Sequence, residues 1–240
     1  MQRITPLLLV LAIALILPSV GVGTAAADIY FESEQVTQGI PNQPDGKGII
    51  KQYLTTDATM TDLGDAVTII DMKQEMLYEL NRENRTYRQT EIEKLGGIPG
   101  MGAEGEDMAD NPMFQAMMKA MADSLKVTPT DEYKTIAGYK CRKFLVQVMM
   151  STSEYWVTKE IEGYEEMKVI GEKASRLFMN NPMMKQLNVA GMMNTLDGFP
   201  VHTVTQMMGG TITTTLKTFE RKALDPSLFA VPADYQRVTD

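Results

Sequence analysis

The sequence predicts an α+β, β-rich fold: a large curved antiparallel sheet of about nine to eleven strands, with amphipathic helices packed on its concave face. Three observations carry this. Short β-prone segments recur every ~8–12 residues through the first half, separated by turn-forming pieces. Two longer strand pairs dominate the second half. Between these blocks lie segments with helical periodicity whose apolar faces must be buried somewhere, and one face of the sheet is the natural partner.

The first block places strands at 29–38, 48–55, 58–63, 67–72, 75–80 and 85–91. The turns fall at Pro41 to Gly46, at Gly64-Asp65 and at Asn81-Arg82-Glu83-Asn84, all residues that favour chain reversal. Residues 76–88 read as a hairpin. Residues 96–110 break the pattern with glycines and acids. Gly100 to Gly105 formally matches G-x-G-x-x-G, but no apolar strand leads into it, and Glu104, Glu106 and Asp107 repel a pyrophosphate.

A helix follows. Asn111 suits the N-cap and Pro112 the first helical position. Met113, Met117, Met121 and Leu125 recur every four residues, with Phe114 and Met118 beside them, and the helix should end near Lys126. Strands are expected at 139–150 and 152–159. Phe144 to Val148 is almost continuously apolar, as in a central strand covered on both faces. A helix over about 164–179 carries Met167, Ile170, Leu177 and Phe178, and Asn181-Pro182-Met183 opens a shorter one with Met184, Leu187 and Met193. Strands at 199–208 and 211–220 meet at Gly209-Gly210, and 225–232 forms a turn docked by Leu228 and Phe229.

The N-terminus reads as a secretory signal over 1–27. Arg3 supplies the positive charge, 7–17 is an apolar run of 11 residues, and Ala25-Ala26-Ala27 offers small residues before Asp28. A run this short does not span the ~30 Å hydrocarbon core, so no stable membrane insertion is expected after cleavage. The remaining 240 − 27 = 213 residues suffice for a single domain over 28–240, periplasmic or extracellular.

Composition excludes several functions. With 23 basic and 31 acidic residues the net charge is −8, which argues against a nucleic-acid partner. One cysteine and one histidine exclude an intrachain disulfide, multi-cysteine zinc sites and two-histidine motifs. No G-x-S-x-G or H-E-x-x-H occurs. A Cys141–His202 dyad would need two strand residues to meet, whereas each is more often a packed side chain. No cofactor is implied, and the expectation is a non-enzymatic protein.

Certain residues carry a family pattern. They are Ile136 to Cys141, Glu154 to Thr158, Gly198 to Val201, and Leu228 to Pro232 with Tyr235, preceded by Ile69-Ile70-Asp71, Leu77 to Leu80 and Thr86-Tyr87. The pattern resembles a group of exported bacterial proteins known as a domain of unknown function. That group is similar to the LolA/LolB lipoprotein-carrier superfamily. The resemblance covers most of 28–238. It implies an unclosed β half-barrel capped by helices, and brings no catalytic residues.

The chain's own anomaly is methionine, 20 residues against 7 phenylalanines. Unbranched and polarizable, methionine repacks around ligands of variable shape. The expected partner is therefore a hydrophobic ligand, a lipid or the acyl chain of an acylated protein. Expected lining residues are Met113, Met117, Met121, Phe144, Val146, Val148, Trp156, Met183 and Leu187. Two alternatives stand beside this. Thioethers suit Cu(I), so a methionine-based copper binder is one. A protein-interaction module whose helices fill the sheet completely is the other.

Overall fold

A computed structural model describes residues 28–41, 43–95, 112–149, 151–178 and 195–238. Among these, the strands are β1 (Ile29–Gln38), β2 (Gly46–Leu54), β3 (Ala58–Asp62), β4 (Ala66–Asp71), β5 (Met76–Asn81), β6 (Thr86–Glu91), β7 (Lys126–Ile136), β8 (Tyr139–Val148), β9 (Ser151–Thr158), β10 (Phe199–Met207), β11 (Gly210–Arg221) and β12 (Gln236–Arg237). Helix α1 (Pro112–Ser124) precedes β7, and helix α2 (Tyr164–Phe178) follows β9. All twelve strands join one sheet in the order β12-β6-β5-β4-β3-β2-β1-β11-β10-β9-β8-β7. Every pairing is antiparallel except β12 with β6, and the sheet is unclosed, ending at β12 and β7.

Local chemistry sets the meander. The Asp71 carboxylate accepts from the backbone N–H groups of Lys73 and Gln74 at 2.8 and 2.9 Å, closing the β4–β5 turn. Asn81 accepts from the Asn84 N–H at 3.0 Å in the next one. Thr55 organises the β2–β3 turn by accepting from Ala58 N–H at 2.9 Å. At the β10–β11 turn only glycine fits position 210, because a Cβ there would lie 2.5 Å from the carbonyl carbon of Gly39.

Strand β7 is a correction to the sequence reading, which left 127–138 without structure. Its segment holds Pro129 and the polar run Asp131-Glu132-Tyr133-Lys134, the composition of a strand with solvent beside it. It pairs only with β8, with a register shift between Pro129 and Tyr133, so the proline costs no ladder bond in a central position. Strand β12, two residues long, was also not anticipated. It is held by Gln236 N–H to Arg85 O and Val238 N–H to Tyr87 O, both 2.9 Å.

The sheet has two distinct sides. Ile29, Phe31 and Leu216 form a buried cluster with Phe199, Val201, Ile161 and Cys141, against which Tyr164 and Met167 of α2 pack. Phe31, Phe199 and Phe219 meet there ring to ring, with centroids 5.1 to 6.2 Å apart. Phe144, Val146, Val157 and Leu196 form another cluster, on the face of β8 and β9 opposite Cys141 and Trp156, flanked by Leu125 at the end of α1. The face that meets the end of α1 is the helix side.

The outer side carries a third cluster of Met60, Val67, Ile69 and Leu80, covered by Leu228, Phe229, Val231 and Tyr235 of the C-terminal segment. That segment turns at Pro226–Phe229, where Asp225 caps by accepting from Ser227 N–H at 2.9 Å.

Two ion-pair groups tie α2 down. Arg221 reaches Glu162 at 3.0 Å and Glu166 at 2.6 Å before and within its first turn. Lys173 donates to Thr56 O at 2.6 Å and pairs with Asp57 at 3.1 Å. Two lysines beside Asp57, Lys73 first and Lys173 second, hold its carboxyl below the usual range. The acids Glu165 and Glu166 in the first turn and Arg176 in the last suit the helix dipole.

Candidate functional site

The helix side between β1 and β8 is the surface that the expected lining residues address. Register decides which of them meet. Phe144 pairs with Tyr155, Val146 with Ser153 and Val148 with Ser151, so these side chains share the helix side. Phe144 and Val146 are 7% and 4% exposed, beneath Leu125 and Leu196. Val148 is half-buried beside them.

Trp156 pairs with Lys143 on one flank and His202 on the other, which places it on the face of β9 opposite Tyr155 and Phe144, and it packs against the cluster of Ile29, Phe31, Cys141, Phe199 and Val201. Its indole has the Lys143 ammonium 5.7 Å from the ring centroid. The period-two alternation of β9 therefore separates Trp156 from Phe144, and the aromatic that joins Phe144 is Tyr155. Burial raises the pKa of the Tyr155 phenol.

The methionines of α1 form a graded stripe. Met113 is 85% exposed and Met117 47%, while Met121 and Leu125 are half-buried. The helix is thus anchored at its C-terminal end, where Leu125 enters the β8 cluster and Ser124 Oγ accepts from Met149 N–H at 2.8 Å. Met113 and Met117, expected to lie over the sheet, face solvent. Met183 and Leu187, the glycine-rich loop and the leader lie outside the described residues.

Two cross-strand rows complete the helix side. One runs Gln35, Thr214, Thr203, Tyr155, Phe144 across β1, β11, β10, β9 and β8. The next runs Thr37, Ile212, Thr205, Ser153, Val146 and ends at Val127 on β7. Ser153 and Thr205 exchange a hydroxyl hydrogen bond at 2.9 Å. Each row begins polar and finishes apolar in the β8 cluster. On the outer side the same strands carry Glu34 with Lys47 at 2.6 Å and Lys217 at 3.4 Å, and Glu154 with Lys143 at 3.1 Å. Lys47 first, then Lys217, holds the Glu34 carboxyl low. The sequence reading missed these rows, since their hydroxyls read as ordinary strand formers.

Nucleophilic chemistry finds no support at the lone cysteine and histidine. His202 Nδ1 lies 2.8 Å from Thr215 Oγ1. Cys141 is fully buried and its thiol donates to Tyr139 O at 3.4 Å, with burial raising its pKa. The two residues sit on β10 and β8 with β9 between them, and Cys141 is two residues along β8 from the row of His202, so they lie roughly 12 Å apart. Among the described residues no group of three His, Cys, Asp or Glu side chains is placed to hold a metal ion. Among them, too, no helix is long and apolar enough to cross a membrane.

No curated protein matches the sequence. Solved structures similar to it include PNGF-II, at 14% identity and TM-score 0.43, over 89% of this chain and 31% of that one, so the chain spans about a third of that protein's length. They also include an outer membrane lipoprotein-sorting protein domain from Vibrio parahaemolyticus, at 9% identity and TM-score 0.34, over 86% and 90% of the two chains. A LolA superfamily protein from Nitrosomonas europaea is similar at 6% identity and TM-score 0.33, over 86% and 91%. A family match extends over residues 43–235, most of the sequence, and the chain belongs to that family, the domain of unknown function DUF4412.

Proposed function

We propose that this chain is an exported, non-enzymatic domain over 28–240 that binds a hydrophobic ligand, a lipid or the acyl chain of an acylated protein, in the periplasm or outside the cell. One observation carries the reading. The methionine stripe of α1 runs without interruption from the buried β8 cluster out to solvent, Met113 and Met117 being its exposed end. An exposed apolar stripe continuous with a core cluster is a surface that gains by being covered. Methionine suits a cover that must adapt to a flexible chain. Each methylene removed from water contributes about 0.8 kcal/mol, so an acyl chain lying along the stripe gains on the order of 10 kcal/mol before ordering costs.

The test is titration with N-phenyl-1-naphthylamine, an uncharged apolar probe whose emission rises in apolar surroundings. Saturable binding at a one-to-one ratio, displaced by a long-chain glyceride, supports the reading. Non-saturable uptake, or no displacement, contradicts it.

A second reading has its own observation. Met113 and Met117 stand four residues apart on an exposed helix face, a spacing that can present two thioethers to one Cu(I) ion. Cu(I) titration against a competing chelator separates the two.

A further inference from the structure

The helix side is polar in its middle yet carries no charge in either cross-strand row, and this bears on what the ligand's head must be. We infer that the ligand is an amphiphile with an uncharged, hydrogen-bonding head: its head lies over Gln35, Thr203, Thr205 and Thr214, and its chain runs toward Phe144 and Val146. The inference rests on the hydrophobic-ligand reading above and names the class of molecule.

Threonine favours strands, which accounts for its presence in β10 and β11 but not for what accompanies it. On the outer side, neighbours in the same strands include Glu34 and Glu154, each ion-paired with lysine. On the helix side the rows hold only hydroxyls, an amide and apolar groups. The residues Gln35, Thr203, Thr205 and Thr214 are half-buried, not sealed, so a ligand atom can reach them.

Hydroxyls and amides donate and accept, and they satisfy a hydroxyl- or amide-bearing head. A carboxylate or phosphate placed there would lose water with no cation supplied by either row, which is strongly unfavourable. The Arg142 guanidinium lies instead over the Phe144 ring, at 5.6 Å. The polar-to-apolar gradient along both rows gives the orientation, since the head matches the β1–β10 end and the methylenes match the β8 end.

The experiment keeps the acyl chain fixed and varies the head. Monopalmitoylglycerol, palmitate and palmitoyl lysophosphatidate, each below its aggregation concentration, compete with N-phenyl-1-naphthylamine for the full exported chain at pH 7.5. The expected result is at least tenfold tighter binding of the monoglyceride than of either anion. Equal or tighter binding of an anion overturns the inference while leaving the hydrophobic-ligand reading intact. Failure of all three to displace the probe overturns both.

A paired variant, Thr205→Val with Thr214→Val, keeps β-branched residues in both strands. It should weaken monopalmitoylglycerol about tenfold and leave the probe's own dissociation constant unchanged. Unchanged glyceride affinity overturns the assigned head position. Thr205→Ser, which retains the hydroxyl, should bind the glyceride as the natural chain does, and a tenfold loss there also counts against it.

Discussion

Replacing Met113 and Met117 together with glutamine separates a ligand-contacting stripe from a structural one. Glutamine matches methionine in helix propensity, so α1 keeps its backbone preference. Both positions are largely exposed, and surface changes of this kind alter stability by about 0.5 kcal/mol or less. The effect on binding is larger. Full burial of a methionine side chain contributes about 1.5–3 kcal/mol. Weighted by the 85% and 47% still open to solvent, complete coverage of the pair would contribute about 2–4 kcal/mol. A chain lying along one side covers about half of that area. The expected loss is then about 1–2 kcal/mol, or about 5- to 30-fold in Kd. The assay is N-phenyl-1-naphthylamine titration beside a urea melt. An unchanged Kd with a lowered urea midpoint would refute the reasoning, since it would make the stripe part of the fold and not of the binding surface.

Other consequences follow from the same structure. Phe144→Ala empties the β8 cluster beneath Leu125 and Leu196 and should cost about 3–5 kcal/mol in urea unfolding. Phe229→Ala strips part of the cover from the outer cluster and should cost about 1–2 kcal/mol, because the ring is only half-buried. The pKa of His202 is lowered, by burial first and by Lys134 second, so the unfolded chain takes up a proton before the folded one does. Stability should therefore fall as pH drops below about 6.5, and His202→Gln should flatten that part of the profile measured by thermal melts. The lowered carboxyls of Asp57 and Glu34 lose their contributions only in the more acidic carboxylate range, so the two effects separate along the pH axis. Under a competing chelator, Cu(I) should bind more weakly than micromolar, and tighter binding abolished by the Met113/Met117 change would favour the copper reading instead.

Much of the architecture was legible because its signals are local. The turn at Asn81 to Asn84, the proline opening α1 and the period of α2 each act within a few residues, and the strand at 29–38 appears with the bounds expected of it. The rest was illegible for two reasons. Strand β7 is an edge strand, and edges are built from prolines and charges that look like loop. The placing of Trp156 and Phe144 on opposite faces was not legible, because alternation separates faces but does not say which face another strand shares with it. That depends on register, here Lys143 opposite Trp156 and Phe144 opposite Tyr155. The direction of α1 was likewise out of reach. A four-residue methionine period tells which side is apolar, but only the anchoring of Leu125 and Ser124 beside β8 tells which end lifts away.

Native mass spectrometry of the protein purified from the exported fraction bears most directly on hydrophobic-ligand binding. The account predicts a non-covalent adduct of lipid mass, released on collisional activation and identified as a species with an uncharged head. A bare polypeptide mass under gentle conditions, from cells rich in such lipids, would contradict it.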